Sequence, residues 1–159
     1  MKSTDTANSY QRAAIEGASP IGLIVVLFDR LVRDLRSAVT AMHEGDIETR
    51  CRVLNHGMLV LGQLENWVDR ETGGEAAETL CRFYGQIRSN MLQASVTQST
   101  KLLDEQIELV LQVRTAWQQI DIQSATGVGV GSSMGKQEAF SALHYAGAEA
   151  ERVSFSQSA

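Results

Sequence analysis

The chain carries three histidines and two cysteines, the residue types that hold metals or act as nucleophiles, and their spacing decides whether they do either. Cys51 and His56 stand five positions apart, so on a helix they do not share a face. His43 and His144 lie far from each other in sequence, whereas a zinc site needs four convergent ligands. No metal and no cofactor is therefore expected, and Cys51 and Cys81 read as core fillers in a reducing compartment rather than as a disulfide. The segment "GVGVGSSMGKQ" resembles a phosphate-binding loop, but Val130 stands where its first glycine belongs and Gln137 where a Ser or Thr must follow the lysine. No strand precedes it, so it reads as a flexible linker. No serine sits in a nucleophile elbow, and carboxylates such as those of "DRETGGEAAE" are spread over solvated faces. The chain is not expected to be an enzyme.

Composition narrows the partners. At 159 residues with 43% hydrophobic and 21% charged residues, the chain suits one globular domain with tails. A net charge of -5 lacks the basic footprint of a nucleic-acid binder. The longest apolar run, Ile21 to Phe28, is far short of the roughly 20 residues that span a bilayer, so no membrane insertion is expected. The start "MKSTDTANSYQRA" has no apolar core of a secretory signal. A cytoplasmic protein is expected.

The elements that carry these residues read as helices throughout. A single proline among long stretches of Leu, Glu, Arg, Gln and Ala favours helix. Ser19 followed by Pro20 is a helix start, since the serine oxygen caps free amides and proline at the first position loses no hydrogen bond. The stripe Ile24, Leu27, Phe28, Leu31, Leu35, Ala38, Val39, Met42 then keeps helical period to Gly45, and Asp46 caps the next element. A second helix is expected from Ile47 to Asp69 with Leu54, Met58, Leu61, Leu64 and Val68 inward. Gly73 and Gly74 make a corner, and Ala76, Leu80, Phe83, Tyr84, Ile87, Met91 and Ala94 line a third helix. The polar cluster Ser95 to Thr100 is the next break. Leu102, Leu103, Gln106, Val110, Val113, Trp117 and Ile120 face inward on a fourth.

Four such helices joined by short turns predict an all-α fold, an antiparallel four-helix bundle. It spans residues 19–121, preceded by an N-terminal segment, 1–18, with a short extra helix around "NSYQRAAIEGA". Residues 122–159, rich in Gly, Ser and Ala, read as a flexible tail in which "KQEAFSALHYAGAEAER" is a marginal helix.

The first helix is apolar on more of its circumference than one stripe requires. Leu23 and Val26 fall on the side of Arg30, Arg33 and Ser37, away from the core stripe. On the second helix Val53, Val60 and Trp67 form a line at seven-residue spacing, displaced from the inner face. Such a surplus is covered either by an extra short helix or tail of this chain packed there, or, as a groove, by an apolar helical segment of another protein. A further alternative is a structural or regulatory bundle that self-associates through the same surface; a chain that binds such a segment could itself form a homodimer when empty.

At this point a resemblance enters. "SYQRAAIEGASPIGLIVVLFDRL" is similar to the N-terminal signature of the flagellar export chaperones of the FliS family, through Tyr10, Ala18, Ser19, Pro20, Leu23, Ile24, Leu27, Phe28 and Asp29. "VDRETGGEAAETLCRFYGQIRSNMLQAS" resembles the second block of the family through Asp69, Gly73, Gly74, Glu75, Leu80, Tyr84, Leu92 and Ala94. "VRTAWQQI" resembles its close through Trp117 and Ile120, so the likeness covers residues 8–121. Arg30 departs from the usual glycine and Ser95 from the usual asparagine. The resemblance implies a cytoplasmic chaperone that binds the disordered C-terminal segment of flagellin, prevents premature polymerisation and delivers it to the flagellar export apparatus. It also implies that the N-terminal segment caps the groove until flagellin displaces it. The candidate partner contacts are Tyr10, Leu23, Ile24, Val26, Leu27, Phe28, Val60, Trp67 and Tyr84.

Overall fold

Ser19 and Pro20 open the first helix as their chemistry dictates: the Ser19 Oγ accepts from the Gly22 amide at 2.9 Å, and Pro20 takes the first helical position. The computed structural model describes residues 19–125, with side chains to residue 122. The expected N-terminal segment with its extra helix, Tyr10 and the tail from residue 126 lie outside the described residues. Four helices follow in order: α1 (Pro20–Glu44), α2 (Ile47–Asn66), α3 (Gly74–Thr97) and α4 (Thr100–Ala125). There is no strand among the described residues.

The turns are built from single residues with specific backbone demands. Gly45 adopts a left-handed φ of 71°, and the amides of Gly45 and Asp46 bond back to the carbonyls of Met42 and Ala41 at 3.3 and 2.8 Å. Asp46 then caps α2 by accepting from the Thr49 amide at 2.9 Å, so one residue ends one helix and starts the next. The α3–α4 turn repeats the device without glycine. Gln98 takes the left-handed conformation (φ 54°), the Ser99 amide reaches Ala94 O at 3.2 Å, and the Ser99 Oγ accepts from the Leu102 amide. The break thus falls inside the expected polar cluster, at Gln98 and Ser99, with α3 running through its first three residues to Thr97, whose hydroxyl donates to the Gln93 carbonyl.

The helices form a bundle in which α1 packs on α2 and α4, and α3 packs on the same two. Phe28, Leu31, Leu35 and Ala38 of α1 meet Leu54, Leu61 and Leu64 of α2, Phe83, Tyr84, Ile87 and Met91 of α3, and Leu103, Val110 and Val113 of α4 in one core. Across it, the rings of Phe28 and Tyr84 lie 6.3 Å apart, tilted at 39°. Gly57 admits a close approach of helices: a Cβ there would stand 2.9 Å from the Met91 Cε.

One expectation is corrected on α2. Val53 and Val60 are not a displaced outer line; both are buried in the core, at 8% and 4% exposure. Because α2 is packed between α1 and α3, its buried arc is wide and centred near Gly57. Met58 and Val68, expected inside, are only partly buried. The helix also ends at Asn66 rather than Asp69, and α4 continues beyond the expected limit to Ala125. Leu31→Ala, at a position with no exposed surface, is expected to lower unfolding free energy by about 2 to 5 kcal/mol through lost burial and the cavity left. Chemical denaturation of the variant measures it.

Candidate functional site

Helix α1 changes character along its length. From Ile21 to Leu27 every residue is only half-buried, whereas from Phe28 onward the inward positions Phe28, Leu31 and Leu35 have no exposure. The first two turns of α1 therefore project an apolar surface that the other three helices cover incompletely. Two anchors hold them in place. The Ser19 hydroxyl donates to the Asp121 carboxylate near the end of α4. One residue beyond Phe28, Asp29 takes a two-pronged bond from Arg114, 2.8 Å from Nε and 3.2 Å from a terminal nitrogen, and Arg114 is braced by Gln118 at 2.6 Å.

The nine candidate contacts separate into groups. Leu23 and Val26 are half-buried, as a surface contact requires; Ile24 and Leu27 are half-buried but pack against the core. Trp67, just past the end of α2, is 48% exposed. Phe28, Val60 and Tyr84 are enclosed in the core, at 0%, 4% and 2% exposure, and offer no surface in this structure; they shape the wall behind it. Burial drives the Tyr84 phenol far above its ordinary range, with Cys81 and Glu65 adding to the shift. Tyr10 and the expected groove cap lie outside the described residues.

Arg30 is half-buried beside this surface. Its Nε is covered and has no hydrogen-bond partner among the described residues. It stands on the rim, with Arg33 exposed one turn further. An open cleft of about 630 Å³ along α1, lined by Asp29, Arg33, Arg36 and Glu44 among others, is partly polar and adjoins the apolar face at Arg33. No group of three metal-binding side chains occurs among the described residues, and no helix of them is long and apolar enough to cross a membrane.

The second motif block has a local task. The Asp69 carboxylate accepts from the amides of Glu71 and Thr72, both at 3.0 Å, and from the Thr72 hydroxyl, and its carbonyl accepts from Gly73. A Cβ on Gly73 would fall 2.2 Å from that carbonyl oxygen, so glycine is required, and Gly74 follows at φ 52°. This staple directs the chain from α2 past Trp67 into α3. Sequence reasoning singled out neither it nor the Asp29–Arg114 clamp. It also passed over the strongly exposed Leu59 and Val96 and used Leu92 only for the motif match, although Leu92 and Val96 stand four apart on a helical face away from the core stripe, a readable signal.

The sequence model of the flagellar protein FliS family matches residues 3–124. The chain belongs to that family. A flagellar secretion chaperone of Pseudomonas aeruginosa is 31% identical over 112 residues, 68% of this chain and 89% of that protein. Similar chaperones of Vibrio cholerae and Salmonella typhimurium are 24% and 29% identical, over 70% and 68% of this chain and 85% and 81% of theirs. The FliS match includes all three quoted blocks. In this FliS-family chain, Asp29, Asp69 and Gly73 are thus structural fixtures around the apolar face.

The caps give a pH prediction. Hydrogen bonds, from Thr49 to Asp46 and from Thr72 to Asp69, hold both carboxyls below their ordinary value of 3.8. A depressed folded value stabilises the fold above the unfolded value and loses that contribution as pH falls through the folded one. Asp46→Asn with Asp69→Asn should therefore flatten the acid limb of the stability profile below pH 3.8. Thermal melts from pH 5 down to about 2 check it.

Proposed function

We propose that the chain is a flagellar export chaperone that takes the C-terminal segment of flagellin onto the first two turns of α1, prevents its premature polymerisation in the cytoplasm, and passes it to the export apparatus. The observation that carries the reading is the half-buried run Ile21 to Leu27 in a member of the FliS family. An apolar surface so placed, with a charged rim at Arg30 and Arg33, suits a helix docked by its apolar face. The reading takes the bundle as antiparallel. Two-residue turns support this, as do the α1–α4 bonds, in which Ser19 pairs with Asp121 and the later Asp29 with the earlier Arg114.

On the same reading Trp67 belongs to the surface. Asp34 bonds His56 at 2.5 Å between α1 and α2. Counting equal numbers of residues back from Asp34 and forward from His56 brings Leu23 level with Trp67. An incoming helix would then meet Leu23, Val26 and Trp67 as anchors, with Ile24 and Leu27 beneath and Tyr10 as a further contact from the N-terminal side. Burial of apolar area, at roughly 25 cal/mol per Å², must offset the ordering of a disordered segment.

Leu23→Asp or Val26→Asp is expected to change unfolding free energy by about 1 kcal/mol, as for half-buried positions. Each should weaken binding of a flagellin C-terminal peptide about 100-fold or more, because an unpaired charge would be buried against the peptide. Calorimetric titration and melting of the same variants decide. Unchanged affinity in a folded variant removes that residue from the site. A chain that forms dimers on size exclusion and ignores the peptide is the self-associating bundle instead.

A further inference from the structure

The FliS match ends at residue 124, and this sequence continues to residue 159. Helix α4 delivers the added segment to a definite place. The Ser19–Asp121 bond sets the end of α4 at the start of α1, and Leu23 is about one helical turn past Ser19. Residues 126–136 are rich in Gly and Ser, and a linker of eleven such residues would reach about 17 to 20 Å, enough to carry Gln137 to that surface. The exposed Val96 adjoins the opposite end of α4, about 39 Å away along its 26 residues.

The two partners match in pattern. Along the outer side of α1, Leu23, Val26, Arg30 and Arg33 follow one another at helical spacing, two apolar residues and then two cations. Neither arginine has an ion-pair partner among the described residues, and the Nε of Arg30 is covered and unbonded. In the tail, Phe140, Leu143 and Glu151 share one face if residues 137–153 are helical, again an apolar pair followed about two turns later by a charge, here of opposite sign. A helix entering from the Ser19 end runs in the direction of α1. It therefore sets Phe140 and Leu143 against Leu23 and Val26, and Glu151 against Arg30 and Arg33.

We propose that residues 137–153 dock on this face as a helix and compete there with the export substrate. The docking stands on reach and pattern; the competition rests on the functional reading above. A marginal helix gains stability from such a partner, and an occupant of modest affinity shields the apolar face while yielding to a better ligand.

The test uses the full chain. Hydrogen exchange of the tail amides is measured in the native protein, in Leu143→Asp and in Glu151→Arg, with Arg33→Glu combined with Glu151→Arg as the restoring pair. Docking requires that both single changes speed exchange about tenfold and that the charge swap recovers protection. Equal exchange in all four overturns it. So does faster exchange of α1 on removing residues 1–17 but not in Leu143→Asp, which makes the N-terminal segment the occupant, or protection that grows with protein concentration, which makes it a second copy. Competition requires that Leu143→Asp bind a flagellin C-terminal peptide about five- to tenfold more tightly than the native chain. Equal affinity overturns the competition. Absence of binding in both chains overturns the functional reading itself, while exchange still decides the docking.

Discussion

The bundle hinges on two adjacent residues of α1 that point to different neighbours. Phe28 enters the core and meets the Tyr84 ring of α3, and Asp29 reaches sideways to Arg114 of α4. The ring supplies apolar burial without direction; the two-pronged ion pair supplies direction with little net energy, because both groups are partly solvated. Together they fix where along α1 the core begins. Everything N-terminal to that point can be apolar without being buried. The half-covered face from Ile21 to Leu27 follows from this boundary, and so does its nearness to the end of α4, which the Ser19–Asp121 bond holds.

Features governed by local backbone chemistry were legible in the sequence. Ser19 with Pro20, Gly45 and Asp46 each answer to a demand that few residues meet, and each stands where that chemistry places it. Gln98 was not legible, since its left-handed backbone is tolerated only because Ser99 caps the following helix and both neighbouring helices are anchored in the core. The error on α2 has a different origin. Periodicity gives the direction of an apolar stripe but not the width of the buried arc, which depends on how many neighbours a helix has. Between two neighbours, Val53 and Val60 are buried along with Leu54 and Leu61, and the centre of the arc is marked by Gly57, a residue that a hydrophobic pattern does not register.

The candidate site was legible in the same uneven way. Leu23 and Val26 could be placed outside the stripe from a helical wheel because α1 is regular from its cap onward. Trp67, placed by seven-residue spacing on one line with Val53 and Val60, parts from them because α2 has ended by then: it is exposed where the two valines are buried. The motif residues shared with the FliS family also divide by physical task. Ser19, Asp29, Asp69 and Gly73 fix the backbone and join helices, and Phe28 and Tyr84 fill the core. Among the described motif residues of the first block, Leu23, with Ile24 and Leu27 behind it, forms part of the partly uncovered surface. Motif resemblance thus identifies the frame more securely than the contacts.

A face of this kind is bounded by opposing requirements. Leucine and valine fully exposed over several turns would invite non-specific association, and fully buried they could not receive a partner. Half-burial lowers the first hazard, since Leu23 and Val26 are each only partly open. The cations that follow them add a second restraint: an apolar segment lying along α1 must either stop before Arg30 or bring an acceptor to it. With its Nε covered and unbonded, Arg30 penalises a purely apolar occupant more than one carrying a carboxylate. On the docking proposed above, Arg30 would therefore discriminate by charge at the far end of a face whose first two turns would discriminate by shape.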